Sequence, residues 1–194
     1  VLEKLILNTN VCLVVSQPDK DVGRHKILMP TPVKKKALEH NIKVFQPNKI
    51  RTDYETICDA KPDIIITCAY GKIVPECILS IPKLGCINVH ASLLPKYRGA
   101  SPIQSAILNG ETKTGVTIMY MDKDMDTGDI ISMESISIDD NDNLETLSNK
   151  LSMLHIPLYS INIFLGLYLF SSSFKYSLVN SSSSSITTKV VLSF

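Results

Sequence analysis

An asparagine and a histidine stand two positions apart in the segment INVHASLLPKYRGASP, residues 87–102. If a strand ends here, its alternation places Asn88 and His90 on one face and Val89 on the other. An amide and an imidazolium on the same face can both donate a hydrogen bond to an oxygen that gains negative charge during a reaction. A histidine at a strand end is by itself more often a packing residue, so this interpretation needs a third group.

A carboxylate would orient the imidazole and favour its charged form. Asp126, in the sequence MDTGD, is the best candidate, because Gly128 lets the backbone turn tightly and bring that side chain to the same place. Asp-Thr-Gly is usually only a turn. It also resembles the aspartic protease signature, but the order of elements along the chain argues against that class.

Short apolar runs alternate with helical segments, which predicts an α/β fold with a Rossmann-like, doubly wound and mostly parallel sheet. The predicted strands are residues 11–16, 43–45, 63–68, 86–89 and 115–120. The predicted helices are residues 1–7, 31–40, 53–59, 76–79 and 102–108, and we expect residues 17–30 to form a loop. Ligands of such sheets bind outside the carboxyl ends of the strands. We therefore expect residues 88–95 and the loop 121–129 to meet at that edge.

The segment NVHASLLPKYRGASPIQ, followed after a helix by TGVTIMYMDKDMDTGDI, resembles the formyltransferase family that uses 10-formyltetrahydrofolate. The resemblance covers residues 1–154 and is most specific over residues 62–131. It implies the formyltransferase fold, 10-formyltetrahydrofolate as formyl donor and no metal, with the catalytic residues of the family falling on Asn88, His90 and Asp126. It also implies a folate-binding loop and a second folate-lining segment, which are Ser92, Leu93, Leu94, Pro95 and Ala69, Tyr70, Gly71.

The acceptor of the formyl group is indicated by residues 17–41, QPDKDVGRHKILMPTPVKKKALEHN, which we call the basic segment. It resembles the insertion with which the tRNA-specific members of the family approach the acceptor stem. Its cations would attract phosphates; they are Lys20, Arg24, Lys26, Lys34, Lys35 and Lys36. The expected acceptor is the amino group of methionyl-initiator tRNA, used in translation initiation. A solvated surface loop, and a smaller acceptor such as glycinamide ribonucleotide or an amino sugar, stay open.

Composition sets the remaining expectations. The chain has 194 residues, of which 44% are hydrophobic and 20% charged, and this is enough for one globular domain. Its net charge of +1 does not indicate that the chain as a whole binds nucleic acid or a membrane. Its five cysteines lack CxxC spacing. Reduced thiols suit the cytoplasm or an organellar matrix. We expect a monomer without a stable protein partner.

The sequence divides into a catalytic domain, residues 1–154, and an apolar, Ser-rich tail, residues 155–194. Residues 151–174 could be a membrane span, but interruptions by polar residues and Pro157 favour translation of a frameshift or an intron. The resemblance also implies a first strand before Val1 and a separate C-terminal domain. Without that first strand we expect an empty central slot in the sheet, so an inactive fragment is the alternative to an enzyme.

Overall fold

The structure, a computed structural model, describes residues 1–154 and 189–193. Its strands are β1 (Asn10–Val15), β2 (Lys20–Val22), β3 (Ile27–Met29), β4 (Val44–Phe45), β5 (Ile64–Cys68), β6 (Cys86–His90), β7 (Lys113–Tyr120), β8 (Ile130–Ser137) and β9 (Lys189–Ser193). Its helices are α1 (Leu2–Asn8), α2 (Pro32–Glu39), α3 (Glu55–Ala60), α4 (Glu76–Leu79), α5 (Pro102–Leu108) and α6 (Leu144–Met153).

Seven strands form one sheet in the order β4-β1-β9-β5-β6-β7-β8. The first five are mutually parallel, whereas β7 is antiparallel to β6, and β8 is antiparallel to β7. The predicted α/β class and mostly parallel sheet are therefore confirmed.

Both faces of the sheet are covered by apolar side chains. Ile64, Ile66 and Ile87 belong to one core, while Ile65 and Cys86 belong to the other. A strand that is buried on both faces needs a continuous apolar run and not an alternating one. The run Ile-Ile-Ile in β5 therefore predicts a buried strand in the interior of the sheet.

Helix α2 begins as the sequence predicts. Thr31 is its N-cap, and the Thr31 hydroxyl accepts a hydrogen bond from the Lys34 backbone N–H at 3.3 Å. Pro32 occupies the first helical turn, where its missing N–H costs nothing.

The expectation of an empty central slot is wrong. Strand β9 lies between β1 and β5 and pairs in parallel with both. Residues 155–194 are Ser-rich as a whole, and for this reason no strand was predicted there. They nevertheless contain KVVLS, a run of β-branched and aliphatic residues that favours a buried strand. The predicted membrane span, residues 151–174, and the predicted translation artefact, residues 155–194, lie largely outside the described residues.

The expectation that residues 17–30 form only a loop is also wrong. Strands β2 and β3 pair as an antiparallel hairpin, with Lys20 opposite Met29. All three residues of β3 are exposed, so this strand does not show the alternation that predicts a half-buried strand. Within residues 1–154 and 189–193, no helix has the length and apolarity needed to cross a membrane.

Candidate active site

Asn88 and His90 lie on the same face of β6, which is the face that carries Cys86 and the second core. Val89 packs against the opposite core. His90 is only 6% exposed, whereas Asn88 is partly open to solvent. Asn88 is therefore the more reachable of the two polar groups for a reacting molecule.

The carboxylate of Asp126 joins these side chains. Its Oδ1 accepts a hydrogen bond from Asn88 Nδ2 at 3.1 Å, and its Oδ2 accepts one from the Gly99 backbone N–H at 2.8 Å. The same Oδ2 lies 3.6 Å from His90 Nδ1. The structure thus brings together the three residues to which the sequence pointed, and we call them the Asn–His–Asp cluster.

The loop 121–129, which carries Asp126, approaches β6 from a direction that the sequence did not predict. Because β7 is antiparallel to β6, the loop 121–129 begins beside the amino end of β6, where the Met121 N–H donates to the Cys86 carbonyl at 2.8 Å. We expected this loop to lie at the carboxyl edge together with residues 88–95, and for the start of the loop this expectation is wrong. The loop brings Asp126 to the middle of β6, in the left-handed conformation with φ 53°.

Gly128 keeps the loop 121–129 close to the sheet. A Cβ atom at Gly128 would lie 2.0 Å from the carbonyl oxygen of Tyr120. The glycine is needed because two stretches of backbone approach closely.

The second ring nitrogen of His90 is also engaged. His90 Nε2 lies 2.9 Å from the carbonyl oxygen of Tyr97. Since a carbonyl only accepts, Nε2 carries the hydrogen and donates it. Both ring nitrogens therefore face acceptors, Asp126 Oδ2 and the Tyr97 carbonyl oxygen.

The side chain of Tyr97 is held by a residue of the loop after α5. Glu111 Oε1 accepts hydrogen bonds from Lys96 Nζ at 2.8 Å and from the Tyr97 hydroxyl at 2.7 Å. These two donors lower the pKa of the Glu111 carboxyl below its ordinary value. Glu111 is thus a supporting residue that sequence reasoning missed, and its isolated position offered no signal.

The predicted folate loop is fixed on β7 by a buried hydroxyl. Thr117 donates to the Ser92 carbonyl at 2.6 Å and accepts from the Leu94 backbone N–H at 3.2 Å. The Ser92 hydroxyl donates to the Lys96 carbonyl at 2.7 Å and is fully buried, so it shapes the loop. Leu93 is half-buried, and Pro95 is exposed. A threonine inside the apolar run of β7 was the available signal for this role.

The second predicted folate segment follows β5. Ala69 and Gly71 are exposed, with φ values of 52° and 72°, while Tyr70 is buried. The hydroxyls of Tyr70 and of Thr67 are buried without a hydrogen-bond partner among the described residues. Burial raises the pKa of Tyr70 to about 12, so its hydroxyl stays a donor at neutral pH.

The cations of the basic segment fall into two groups. Four are exposed and form no ion pair within the described part of the chain, namely Lys20, Arg24, Lys26 and Lys35. Lys34 instead donates to Asp19 at 2.6 Å and to Gln46 at 2.7 Å, and Lys36 contacts Glu3 and Glu39, each at 2.8 Å. Lys34 and Lys36 are therefore engaged by partners within the fold.

No group of three or more metal-binding side chains lies together in residues 1–154 and 189–193. An asparagine, a histidine and an aspartate that share hydrogen bonds beside a sheet can instead support acyl-group transfer, because they combine oxyanion donors with a proton acceptor.

Sequence comparison defines the class. The profile of the family described as Formyl transferase matches residues 2–160, and the chain belongs to this family. The solved structure of a phosphoribosylglycinamide formyltransferase from Bacillus halodurans shares the fold, with a TM-score of 0.66, 28% identity and 81% of each chain covered. A glycinamide ribonucleotide transformylase from Symbiobacterium toebii, at 19% identity, shows the same fold with a TM-score of 0.64 over 84% of this chain and 74% of its own.

Among curated proteins, the chain is 51% identical over 156 residues to the methionyl-tRNA formyltransferase of Staphylococcus epidermidis. It is equally similar to the methionyl-tRNA formyltransferase of Staphylococcus aureus. In both cases the match covers 79% of this chain and 50% of the relative. The chain therefore spans about half the length of these relatives.

Proposed function

We propose that this chain carries the catalytic site of an enzyme that transfers a formyl group from 10-formyltetrahydrofolate to the amino group of methionyl-initiator tRNA, for translation initiation. The observation that carries the proposal is the Asn–His–Asp cluster, in which Asp126 contacts both Asn88 and His90. The 51% identity to methionyl-tRNA formyltransferases supports this acceptor over others.

In the proposed reaction, the lone pair of the amine attacks the formyl carbon, and the carbonyl π electrons move to oxygen. The tetrahedral intermediate then collapses as the bond from carbon to N10 of the folate breaks. The new amide nitrogen loses one proton, and N10 gains one. Catalysis therefore needs a donor for the oxyanion and a group that accepts and returns a proton.

Asn88 is the first oxyanion donor in this scheme. Its amide has two N–H groups, of which one is directed to Asp126. His90 donates its Nε2 hydrogen to Tyr97, so a substrate oxygen must replace that carbonyl before His90 can contribute. Asp126 orients the imidazole and accepts the proton of the amine through water.

Two features support a bound folate. The loop Ser92–Pro95 is pinned to β7 by Thr117, which leaves the partly exposed Leu93 side chain as an apolar wall. The second feature is the pair of buried hydroxyls of Thr67 and Tyr70, which have no hydrogen-bond partner among the described residues. A buried hydroxyl without a partner lowers the stability of the fold by about 1–3 kcal/mol. A ligand with polar ring atoms would satisfy them.

The hairpin of the basic segment supports a tRNA acceptor. Arg24 and Lys26 lie at or beside its exposed turn, with Lys20 and the helix residue Lys35 exposed nearby in the chain. Exposed cations contact phosphates without regard to sequence. The proposal includes a monomer acting in a reducing compartment, the cytoplasm or an organellar matrix, which suits the five free cysteines.

A formyl-transfer assay that compares acceptors tests the proposal. Methionyl-initiator tRNA, glycinamide ribonucleotide and an amino sugar are each supplied with 10-formyltetrahydrofolate, and the formylated product is measured. We expect product with the tRNA at a rate at least about 100 times that of either small acceptor. Product with glycinamide ribonucleotide alone would favour the second candidate, which the 28% identity to the Bacillus halodurans enzyme suggests. No product with any acceptor would favour an inactive fragment.

A further inference from the structure

Three polar side chains join the start of the hairpin β2–β3 to helix α2 and to the end of β4. Lys34 Nζ donates to Asp19 Oδ2 at 2.6 Å and to Gln46 Oε1 at 2.7 Å. Gln46 Nε2 donates to Asp19 Oδ1 and to the Gln17 carbonyl, each at 2.7 Å. All of these residues are partly buried. Because Asp19 directly precedes Lys20, the first residue of β2, this network fixes the start of the hairpin.

The residues on either side of the hairpin are also joined. Ser16, which follows β1, and Thr31, which caps α2, share a hydrogen bond between their hydroxyls at 2.6 Å. Ser16 is fully buried, and its backbone N–H donates to the Phe45 carbonyl at 3.0 Å. The base of the hairpin is therefore fixed to the sheet, while its turn, residues 23–26, is exposed.

Gln17 connects this base to the second predicted folate segment, residues 69–71. Its carbonyl accepts from Gln46, and its Nε2 donates to the Tyr70 carbonyl at 2.8 Å. The residues on both sides of Tyr70 have positive φ values, 52° at Ala69 and 72° at Gly71. A residue such as alanine rarely adopts a positive φ, and it persists there only where surrounding contacts hold it. The side chain of Gln17 supplies such a contact.

We propose that Gln17 is a positioning residue that couples the folate segment to the basic hairpin, so that occupancy of one site raises the affinity of the other. The inference rests on the proposed function, in which these regions bind the two substrates. A folate against residues 69–71 and a tRNA on the hairpin both favour the arrangement in which the Gln17 bond to Tyr70 is formed. Such coupling is reciprocal, because one factor describes the effect of each ligand on the other.

The test measures this coupling with a folate that cannot react. Tetrahydrofolate lacks the formyl group, so it occupies the folate site without transfer. Filter binding gives the Kd of the full chain for methionyl-initiator tRNA, with and without tetrahydrofolate at a concentration shown to saturate by fluorescence titration. The wild type is compared with Gln17→Met, which keeps the length of the side chain but has no N–H for the Tyr70 carbonyl. Gln104→Met is the matched control, since Gln104 is an exposed glutamine of α5.

We expect tetrahydrofolate to lower the Kd of the wild type for the tRNA about fivefold or more. In Gln17→Met the two Kd values should agree within about twofold, while Gln104→Met should keep the wild-type ratio. A purely structural role of Gln17 would weaken tRNA binding equally with and without tetrahydrofolate, and that loss cancels in the ratio. If Gln17→Met melts well below the wild type, Gln17→Glu replaces it, because an ionised carboxylate has the same size and also cannot donate.

Three results would overturn the inference and leave the proposed function intact. The first is a wild type that binds the tRNA and tetrahydrofolate independently. The second is a variant without the Gln17 donor that keeps the wild-type ratio. The third is an equal loss of the ratio in Gln104→Met, because the coupling would then not depend on Gln17. A wild type that binds no tRNA would contradict the proposed function, and the inference would fail with it.

Discussion

The Asn–His–Asp cluster and the basic segment are the two functional regions of this molecule, and they are built in opposite ways. In the cluster, each polar group contacts another, and the His90 and Asp126 side chains are 6% and 11% exposed. In the basic segment, Arg24, Lys26 and Lys35 are exposed. A buried network acts through positions fixed in advance, whereas exposed cations act through long-range attraction that salt screens.

Because the two regions are built differently, substitutions in them should change different properties of the protein. Loss of a cluster residue should reduce the rate of the chemical step and also stability, because its partners stay buried. Loss of an exposed cation should weaken binding of the acceptor and make that binding less dependent on salt concentration. It should leave the melting temperature unchanged.

Asp126→Ala should have the largest effect. It removes the acceptor of Asn88 and of the Gly99 N–H, together with the partner of His90. We expect kcat to fall about 1,000-fold and the free energy of unfolding to fall by about 1–3 kcal/mol. Steady-state kinetics and urea unfolding measure the two effects. Asp124→Ala, an exposed residue of the same loop, serves as control, and a threefold or smaller loss of kcat in Asp126→Ala would break the division.

Arg24→Glu should weaken binding of the initiator tRNA about 10-fold at physiological salt and leave folate affinity little changed, because it reverses a charge on the exposed turn. Filter binding for the tRNA and fluorescence titration for the folate measure the two affinities. Lys113→Glu reverses an exposed charge at the start of β7 and should have little effect. Equal losses of tRNA and folate affinity in Arg24→Glu would show that the two regions are not separate.

Lys34 and Lys35 are neighbours in α2 that should respond differently. Lys35→Ala should weaken tRNA binding about threefold and reduce the salt slope, with no change in melting temperature. Lys34→Ala should lower the melting temperature by a few degrees, because Asp19 and Gln46 lose their shared partner. Thermal unfolding and binding at several salt concentrations separate the two residues. Identical behaviour would mean that the Asp19 contact has no role in the fold.

Glu111 should give the smallest effect, which is a difference in how the free energy of unfolding changes with pH. Lys96 and Tyr97 hold its pKa below the ordinary value of 4.5, so its contribution to stability is present above that value and is lost as the pH falls through the lowered pKa. Between about pH 5 and about pH 3, the wild type should therefore lose slightly more stability than Glu111→Gln. Urea unfolding at both pH values measures this difference, and parallel losses would contradict it.

Local patterns predicted much of the fold and the residues of the cluster. Helices α4 and α5 have the predicted bounds, because an apolar periodicity ends at clear stop signals. Asn88 and His90 were predictable since alternation in a strand is strict. The contact of Asp126 with Asn88 and His90 was expected, but its route was not, because no pattern in the sequence indicates that β7 runs antiparallel to β6.

Features that depend on distant pairing were not predictable. The ion pair of Lys34 with Asp19 and the support of Tyr97 by Glu111 join positions that share no pattern. Strand β9 lies far along the chain from β1 and β5, and its five residues follow a Ser-rich stretch that dominates the composition. The position of such a short strand in a sheet is determined by tertiary packing and not by its own sequence.

The rate of formyl transfer in a single turnover, measured for Asn88→Ala at saturating 10-formyltetrahydrofolate and methionyl-initiator tRNA, tests the central claim most directly. Asn88 is a partly exposed member of the cluster, and its side chain contacts Asp126. If Asn88 stabilises the oxyanion, the rate should fall about 100-fold or more while both substrates still bind. A rate within threefold of the wild type, with both substrates bound, would contradict the assignment of the cluster as the catalytic site.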